Sequence, residues 1–250
     1  DHVIGHLGEF WGVVAEAVAV ARTGKIVTIG ITPTEPSTAF GYIREGAALD
    51  VSGAPSARAV ADFVEKPDAA TARQYLARGG FRWNAGMFVA KASVLLDTLA
   101  DYHPDLASGV RAIAADSGRL EADWPTLEKI AIDHAIAEPA AAAGRVAVVP
   151  GSFSWDDVGD YASLGSLLAA AGAPDGSKGL TVIGDPDDVV GVEASGVVAA
   201  RGGRVIAVVG LDDVVVIDTP DALLVVGRDR AQDVKAVVDH LNASGRTHLT

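Results

Sequence analysis

The stretch EFWGVVAEAVAVARTGKIVTIGI, residues 9–31, decides the fold class. Phe10, Val13, Val14, Ala17, Val18 and Ala21 recur at helical spacing, which predicts an amphipathic helix over 9–22. Gly24 is the expected C-terminal stop. Lys25 to Ile31 then reads as a buried strand. A helix feeding a strand over so few residues is the signature of an α/β unit.

Outward from this unit the alternation continues. Residues 32–41 (Thr, Pro, Glu, Pro, Ser, Thr, Gly) form a polar loop at the strand's end, where α/β proteins place ligands. Residues 46–56 read as a Gly/Ala/Pro-rich connection. Ala59–Val64 is an expected strand stopped by Pro67, Asp68 an expected cap for a helix to about Arg78, and Gly79-Gly80 its end. Phe81–Ala90 returns to strand character. Helices are expected at 91–100, 104–115, 125–138 and 158–170, with a strand at Arg145–Val149. Residues 171–179 are rich in Gly, Ala, Pro, Asp and Ser, which places a domain boundary there, dividing 1–171 from 172–250. Beyond it, valine-rich runs at 189–192, 197–200, 205–209, 214–217 and 223–226 predict regular short strands of a sandwich, barrel or β-helix. Residues 229–241 close the chain as an amphipathic helix.

Composition excludes several classes. The chain has 250 residues, enough for one large domain or two smaller ones, and 49% of them are hydrophobic, too many for general disorder. Its net charge of -13, with no basic run, argues against a nucleic-acid groove. No stretch is long and apolar enough for a membrane span, and no signal peptide is visible. The absence of cysteine rules out disulfides and thiol chemistry and fits a cytoplasmic protein. Phosphate-loop, dinucleotide, nucleophile-elbow and H-E-x-x-H motifs are absent. His2 and His6 lie four apart with no third ligand beside them, which reads as surface histidine rather than a zinc site.

Polar residues inside apolar surroundings mark the candidate site. Glu65-Lys66-Pro67 ends a strand. Either it is a solvated strand end, or Glu65 accepts hydroxyl hydrogen bonds and Lys66 meets a phosphate as a point charge. Trp83-Asn84-Ala85-Gly86 is either a turn at a strand start or an amide suited to sugar hydroxyls. Asp156-Asp157 precedes an apolar helix. The pair is either its N-cap or a hard-cation site of the kind Mg²⁺ uses, with one or two protein carboxylates plus phosphates and waters.

Taken together and in order, Asp1-His2-Val3-Ile4, GITPTEPSTAFGYI (30–43), FVEKP (63–67), WNAGMF (83–88) and WDDVG (155–159) resemble the mannose-1-phosphate guanylyltransferase (GDP-mannose pyrophosphorylase) family, and AVVGLDDVVVIDTPDALLV (207–225) is similar to that family's C-terminal β-helical region. The resemblance implies a Rossmann-like mixed α/β sheet, incomplete at its N-terminal side, followed by a small β-helix-like region. It also implies in-line attack of mannose 1-phosphate on the α-phosphate of GTP, giving GDP-mannose and pyrophosphate. Asp1 and Asp157 would hold Mg²⁺, with Asp156 beside Asp157 at a position that varies in the family motif. Lys66 would hold the sugar phosphate, Glu65 and Asn84 the sugar hydroxyls, and Gly41 with Tyr42 a backbone contact to the sugar. Asp1, Asp157 and Lys66 are expected to converge on one cation.

Two departures matter. The family's Ser-Ile-Asp-Tyr-Ala-Val-Met-Glu-Lys stretch stands here as Ala131-Ile132-Asp133-His134-Ala135-Ile136-Ala137-Glu138-Pro139. Asp133 is expected to help organise the site rather than to bind ligand, and residues 131 and 134 lose the family's support. The glycine-rich triphosphate loop and the guanine-reading segment do not occur in this sequence, so the chain is expected to be part of a longer protein, inactive alone and exposing sheet edges and apolar surface. Other readings are another sugar-1-phosphate nucleotidyltransferase, a non-catalytic sugar-nucleotide-binding paralogue, and a purely structural β-solenoid, against which the helix–strand alternation speaks. The C-terminal region suggests a homodimer.

Overall fold

The computed structural model describes residues 1–170, 175–177 and 179–249. Two compact units emerge, Ile4–Trp155 and Asp1–Val3 with Asp156–Thr250. Of the boundary expected within 171–179, residues 171–174 and 178 lie outside the described residues.

In chain order the elements begin with β1 (His2–Ile4), α1 (Leu7–Ala21), β2 (Ile26–Ile31), β3 (Tyr42–Ala48), β4 (Arg58–Val64), α2 (Ala69–Arg78) and β5 (Phe81–Val89). The chain continues through α3 (Ala92–Tyr102), α4 (Pro104–Ala115), α5 (Leu120–Asp123), α6 (Glu138–Ala142) and β6 (Val146–Gly151).

All six residues of β2 are buried, as expected of a strand covered on both faces. β2 pairs in parallel with β6 and antiparallel with β5, and the ring β2-β5-β3-β4-β6 closes through a short β4–β6 ladder. The sheet is therefore mixed. Alternation along β2 and β6 sorts the core into two layers. Val27, Ala147 and Val149 meet Ala17, Val20 and Ala21 of α1. Ile26, Val146 and Val148 meet Leu99 of α3, Ala107 of α4 and Ala140 of α6. A third cluster holds Ile29, Ile31, Tyr42, Phe81, Trp83 and Phe153.

β7 (Trp155–Asp157), which pairs with β1, carries the chain into the other unit, where α7 (Tyr161–Ala170), β8 (Asp175–Ser177), β9 (Leu180–Gly184), β10 (Val189–Val192), β11 (Gly196–Ala200), β12 (Ile206–Val209), β13 (Val214–Asp218), β14 (Leu223–Gly227) and α8 (Val234–Ala243) follow. β9, β11 and β13 stack in parallel register, Leu180 beside Gly196 beside Val214. β10 and β12 form a parallel pair of their own, and Val189 and Val208 share a core with Leu180, Val182, Val198 and Val216. The opposite face, Ala199, Val215 and Ile217, packs on Ala162 of α7. Of the sandwich, barrel or β-helix that the valine runs left open, such stacked parallel rungs are the β-helix, as the resemblance implied. Gly196 is required where it stands: its φ is +135°, and a Cβ would lie 1.9 Å from the Val214 carbonyl oxygen.

Several expectations need correction. Residues 125–138 are not one helix. Pro125 lies in a 3-10 turn (Trp124–Thr126), an irregular stretch follows, and a π-turn (Asp133–Ala137) leads into α6. Residues 46–48 belong to β3, where Ala48 pairs with Arg58 of β4 beyond an irregularity in the ladder. Helix α7 begins at Tyr161, so Asp156 and Asp157 are not its caps. Asp160 does that work, accepting from Ser163 N at 2.9 Å. The terminal helix begins as a 3-10 segment, Arg228–Asp233, and turns α-helical only at Val234. Because β4 meets β6, the five-stranded sheet is closed rather than open-edged. Asp68 caps α2 as expected, accepting from Thr71 N at 2.8 Å. Among the described residues, no helix is long and apolar enough to cross a membrane.

Candidate active site

The end of β4 delivers Glu65 and Lys66. Neighbours in a strand point to opposite faces, but Lys66 breaks the alternation by adopting φ +46°. That left-handed conformation is unfavourable for lysine and doubly so before proline. Its result is that Lys66 Nζ donates to Glu65 Oε1 at 2.8 Å. Lys66 is mostly exposed while the Glu65 side chain is only 9% so. The second carboxylate oxygen, Glu65 Oε2, is buried with no hydrogen-bond partner among the described residues.

Gly41, just before β3, explains itself against that oxygen. A Cβ at position 41 would come 2.4 Å from Glu65 Oε2 and 3.3 Å from the Asn84 Cβ. Only glycine admits this approach. Gly41 O also accepts from Asn84 N at 2.8 Å, so Gly41, Glu65 and Asn84 share one corner. Tyr42 is fully buried. Its hydroxyl donates to Ser37 O at 3.0 Å and Glu35 O at 3.4 Å, pinning the 32–41 loop. Beneath the corner, Phe40 contacts Trp83 and Trp155 with ring centroids 5.0 and 5.1 Å away.

Asn84, in β5, is nearly saturated. Its Oδ1 accepts from Thr28 Oγ1 at 2.7 Å and from Gly86 N at 3.1 Å, and its Nδ2 donates to Asp133 Oδ1 at 3.0 Å. Among the described residues that leaves one N–H of the amide, so toward a ligand Asn84 is a donor, not the dual donor and acceptor its residue type suggests.

Glu138 anchors the other member of the corner. Its Oε1 accepts from Glu65 N at 3.1 Å, and its Oε2 lies 2.9 Å from His134 Nδ1. That hydrogen bond raises the His134 pKa above its ordinary value; burial opposes it, and the charges of Glu138, Glu65 and Asp133 add to the rise.

The structure thus brings together four of the sequence-derived residues, Gly41, Glu65, Lys66 and Asn84, in the unit Ile4–Trp155. In the other unit it brings Asp1 beside Asp157. Val158 N donates to Asp1 O at 2.7 Å. The Asp157 carboxylate lies 3.8 Å from His2 Nε2. Asp156 shares β7 with Asp157. No cluster of three or more His, Cys, Asp or Glu suited to a metal occurs among the described residues. Asp157 is nonetheless a part-exposed oxygen donor. In residue type, two carboxylates with phosphates and waters suit Mg²⁺.

Thr28, His134 and Glu138 are the residues that reading the sequence missed. Thr28 could have been suspected as the one hydroxyl in a strand of otherwise apolar residues and glycine. Glu138 carried a weaker sign, its spacing of five from Asp133.

With this geometry in view, the likeness to known proteins becomes specific. Residues 1–171 match the model of the Nucleotidyl transferase family. The chain belongs to that family. In this nucleotidyl transferase, residues 187–241 further match the MannoseP isomerase/GMP-like beta-helix domain, in keeping with the rungs β10 to β14. It is 40% identical over its whole length to the Xanthan biosynthesis protein XanB of Xanthomonas campestris pv. campestris, covering 51% of that protein. It is 36% identical, over 98% of its length, to the mannose-1-phosphate guanylyltransferase of Escherichia coli, again covering 51%. The chain therefore spans about half the length of the curated relatives it matches. Among solved structures, the mannose-1-phosphate geranyltransferase from Thermus thermophilus superposes with a TM-score of 0.76 at 31% identity, over 97% of this chain and 68% of that one.

Proposed function

We propose that this nucleotidyl transferase provides the sugar-phosphate side of an enzyme that forms GDP-mannose and pyrophosphate from GTP and mannose 1-phosphate. The observation that carries the reading is the unpartnered Glu65 Oε2 in the corner shared with Gly41 and Asn84, next to the Lys66 ammonium. A buried carboxylate oxygen without a donor calls for one, and a sugar hydroxyl supplies it. The remaining Asn84 N–H donates to a sugar oxygen, and Lys66 neutralises the phosphate. An oxygen of mannose 1-phosphate then bonds to the α-phosphorus of GTP as the bond to the β-phosphate oxygen breaks, and pyrophosphate leaves. Such chemistry rests on positioning and charge neutralisation. Asp1 and Asp157 would hold Mg²⁺, which would stabilise the negative charge of the reacting phosphates. The names of the relatives support mannose as the sugar and guanosine as the nucleoside.

A GTP-consuming reaction fits a cytoplasmic protein. A homodimer is supported by the exposed Val190, Val192 and Val209 on β10 and β12, and light scattering on the full-length protein checks it. The function is tested by pyrophosphate release from the full-length protein, with GTP against ATP, UTP and dTTP, and mannose 1-phosphate against glucose 1-phosphate. GTP with mannose 1-phosphate is the expected preferred pair. Preference for another pair replaces the reading with a different sugar-nucleotide synthesis. No turnover with any pair favours a binding-only paralogue.

A further inference from the structure

Two residues of the sugar-side corner are held from outside it by one short element. Glu65 lies past the last pair of the β3–β4 ladder, so its N–H has no strand partner, and Glu138 Oε1 takes it. Asn84 keeps one amide N–H on Asp133 Oδ1. Asp133 and Glu138 open and follow the same π-turn, and the Glu138 N–H donates to Asp133 O. In an α-helix, residues five apart point about 140° from each other, at 100° per residue. The i→i+5 closure sets residue 138 above residue 133, and both carboxylates reach the corner. π-turns of this kind recur at functional sites because they re-aim side chains that an α-helix would spread.

We infer that Asp133 and Glu138 are positioning residues for sugar 1-phosphate binding, fixing the Asn84 amide and the Glu65 backbone through the π-turn. The inference rests on the proposed reaction for its substrate. The Glu65 N–H bond holds the strained Glu65-Lys66-Pro67 corner, while the Asp133 bond fixes which way the free Asn84 N–H points. His134 occupies the second oxygen of Glu138 and keeps that carboxylate from rotating away from Glu65.

The test uses the full-length protein with Asp133→Ala, Asp133→Asn, Glu138→Ala and Glu138→Gln. The alanine variants are expected to raise KM for mannose 1-phosphate about tenfold or more, with KM for GTP changed less than about twofold. Asn and Gln retain an acceptor oxygen and should restore most of the affinity. A merely structural role would instead lower thermal stability or move both KM values together. Unchanged KM for mannose 1-phosphate in both alanine variants, or equal effects on both substrates, overturns the inference. If the alanine variants fail to fold, the Asn and Gln variants decide: near-normal KM is expected, and a loss as large as tenfold despite a retained acceptor overturns the inference. If the wild-type protein turns over no mannose 1-phosphate, the proposed reaction fails separately. The Glu65 N–H and Asn84 side-chain amide resonances then decide the positioning: displacement in the alanine variants is expected, and unmoved signals overturn it.

Discussion

At position 134 an imidazole bonded to Glu138 makes one contact of the candidate site titratable. Because the His134 pKa is raised above its ordinary 6.5 in the folded chain, the pairing contributes fully below that value and is lost as pH rises through the raised one. The imidazole is half exposed, so its contribution to stability is small. An NMR titration should place the His134 midpoint above 6.5, and Glu138→Gln should bring it down. A midpoint unmoved by that change would mean that Glu138 is not its partner in solution. At position 41, a methyl would collide with the buried Glu65 carboxylate. Gly41→Ala should therefore raise KM for mannose 1-phosphate about tenfold and lower the melting temperature, as the buried carboxylate is displaced. Single residues of this site were partly legible in the sequence. Glu65, Lys66 and Asn84 stood out because they interrupt apolar strands. The saturation of Asn84 did not, since its partners Thr28 and Asp133 lie 56 and 49 residues away.

Elements were legible where local chemistry defines them. The Asp68 cap, the Gly79-Gly80 stop and the valine runs each carry their own turn residues. Those set by distant partners were not. β7 is three residues long and exists through its pairing with β1. The Gly46-Ala47-Ala48 end of β3 has little strand preference and is held by β4. The helix expected at 125–138 failed because Pro125 and Pro139 bracket a segment whose closing turn serves the side chains of Asp133 and Glu138 rather than helical repetition. At this scale Gly196 offers a sharp test. Gly196→Ala forces a methyl against the Val214 backbone at a positive φ, which no rotamer change relieves. A loss of about 1–3 kcal/mol in denaturant unfolding is expected, with a shifted midpoint.

At the scale of the molecule, each unit has cores of its own. All four tryptophans, at 11, 83, 124 and 155, lie in Ile4–Trp155. Fluorescence therefore reports that unit, whereas far-UV circular dichroism reports both. Gly196→Ala should move part of the dichroism transition to lower denaturant and leave the tryptophan transition in place. Coincident shifts in both signals would show that the chain unfolds as a single cooperative body. The left-handed backbone at Lys66 has a consequence for how such a protein can change over generations. Asparagine tolerates that conformation better than lysine, so the scaffold itself favours replacing the very ammonium proposed to meet the sugar phosphate. A library screened only for heat resistance should drift toward Asn at that codon and fill with hardy, idle proteins. Only a screen that demands product will keep the lysine.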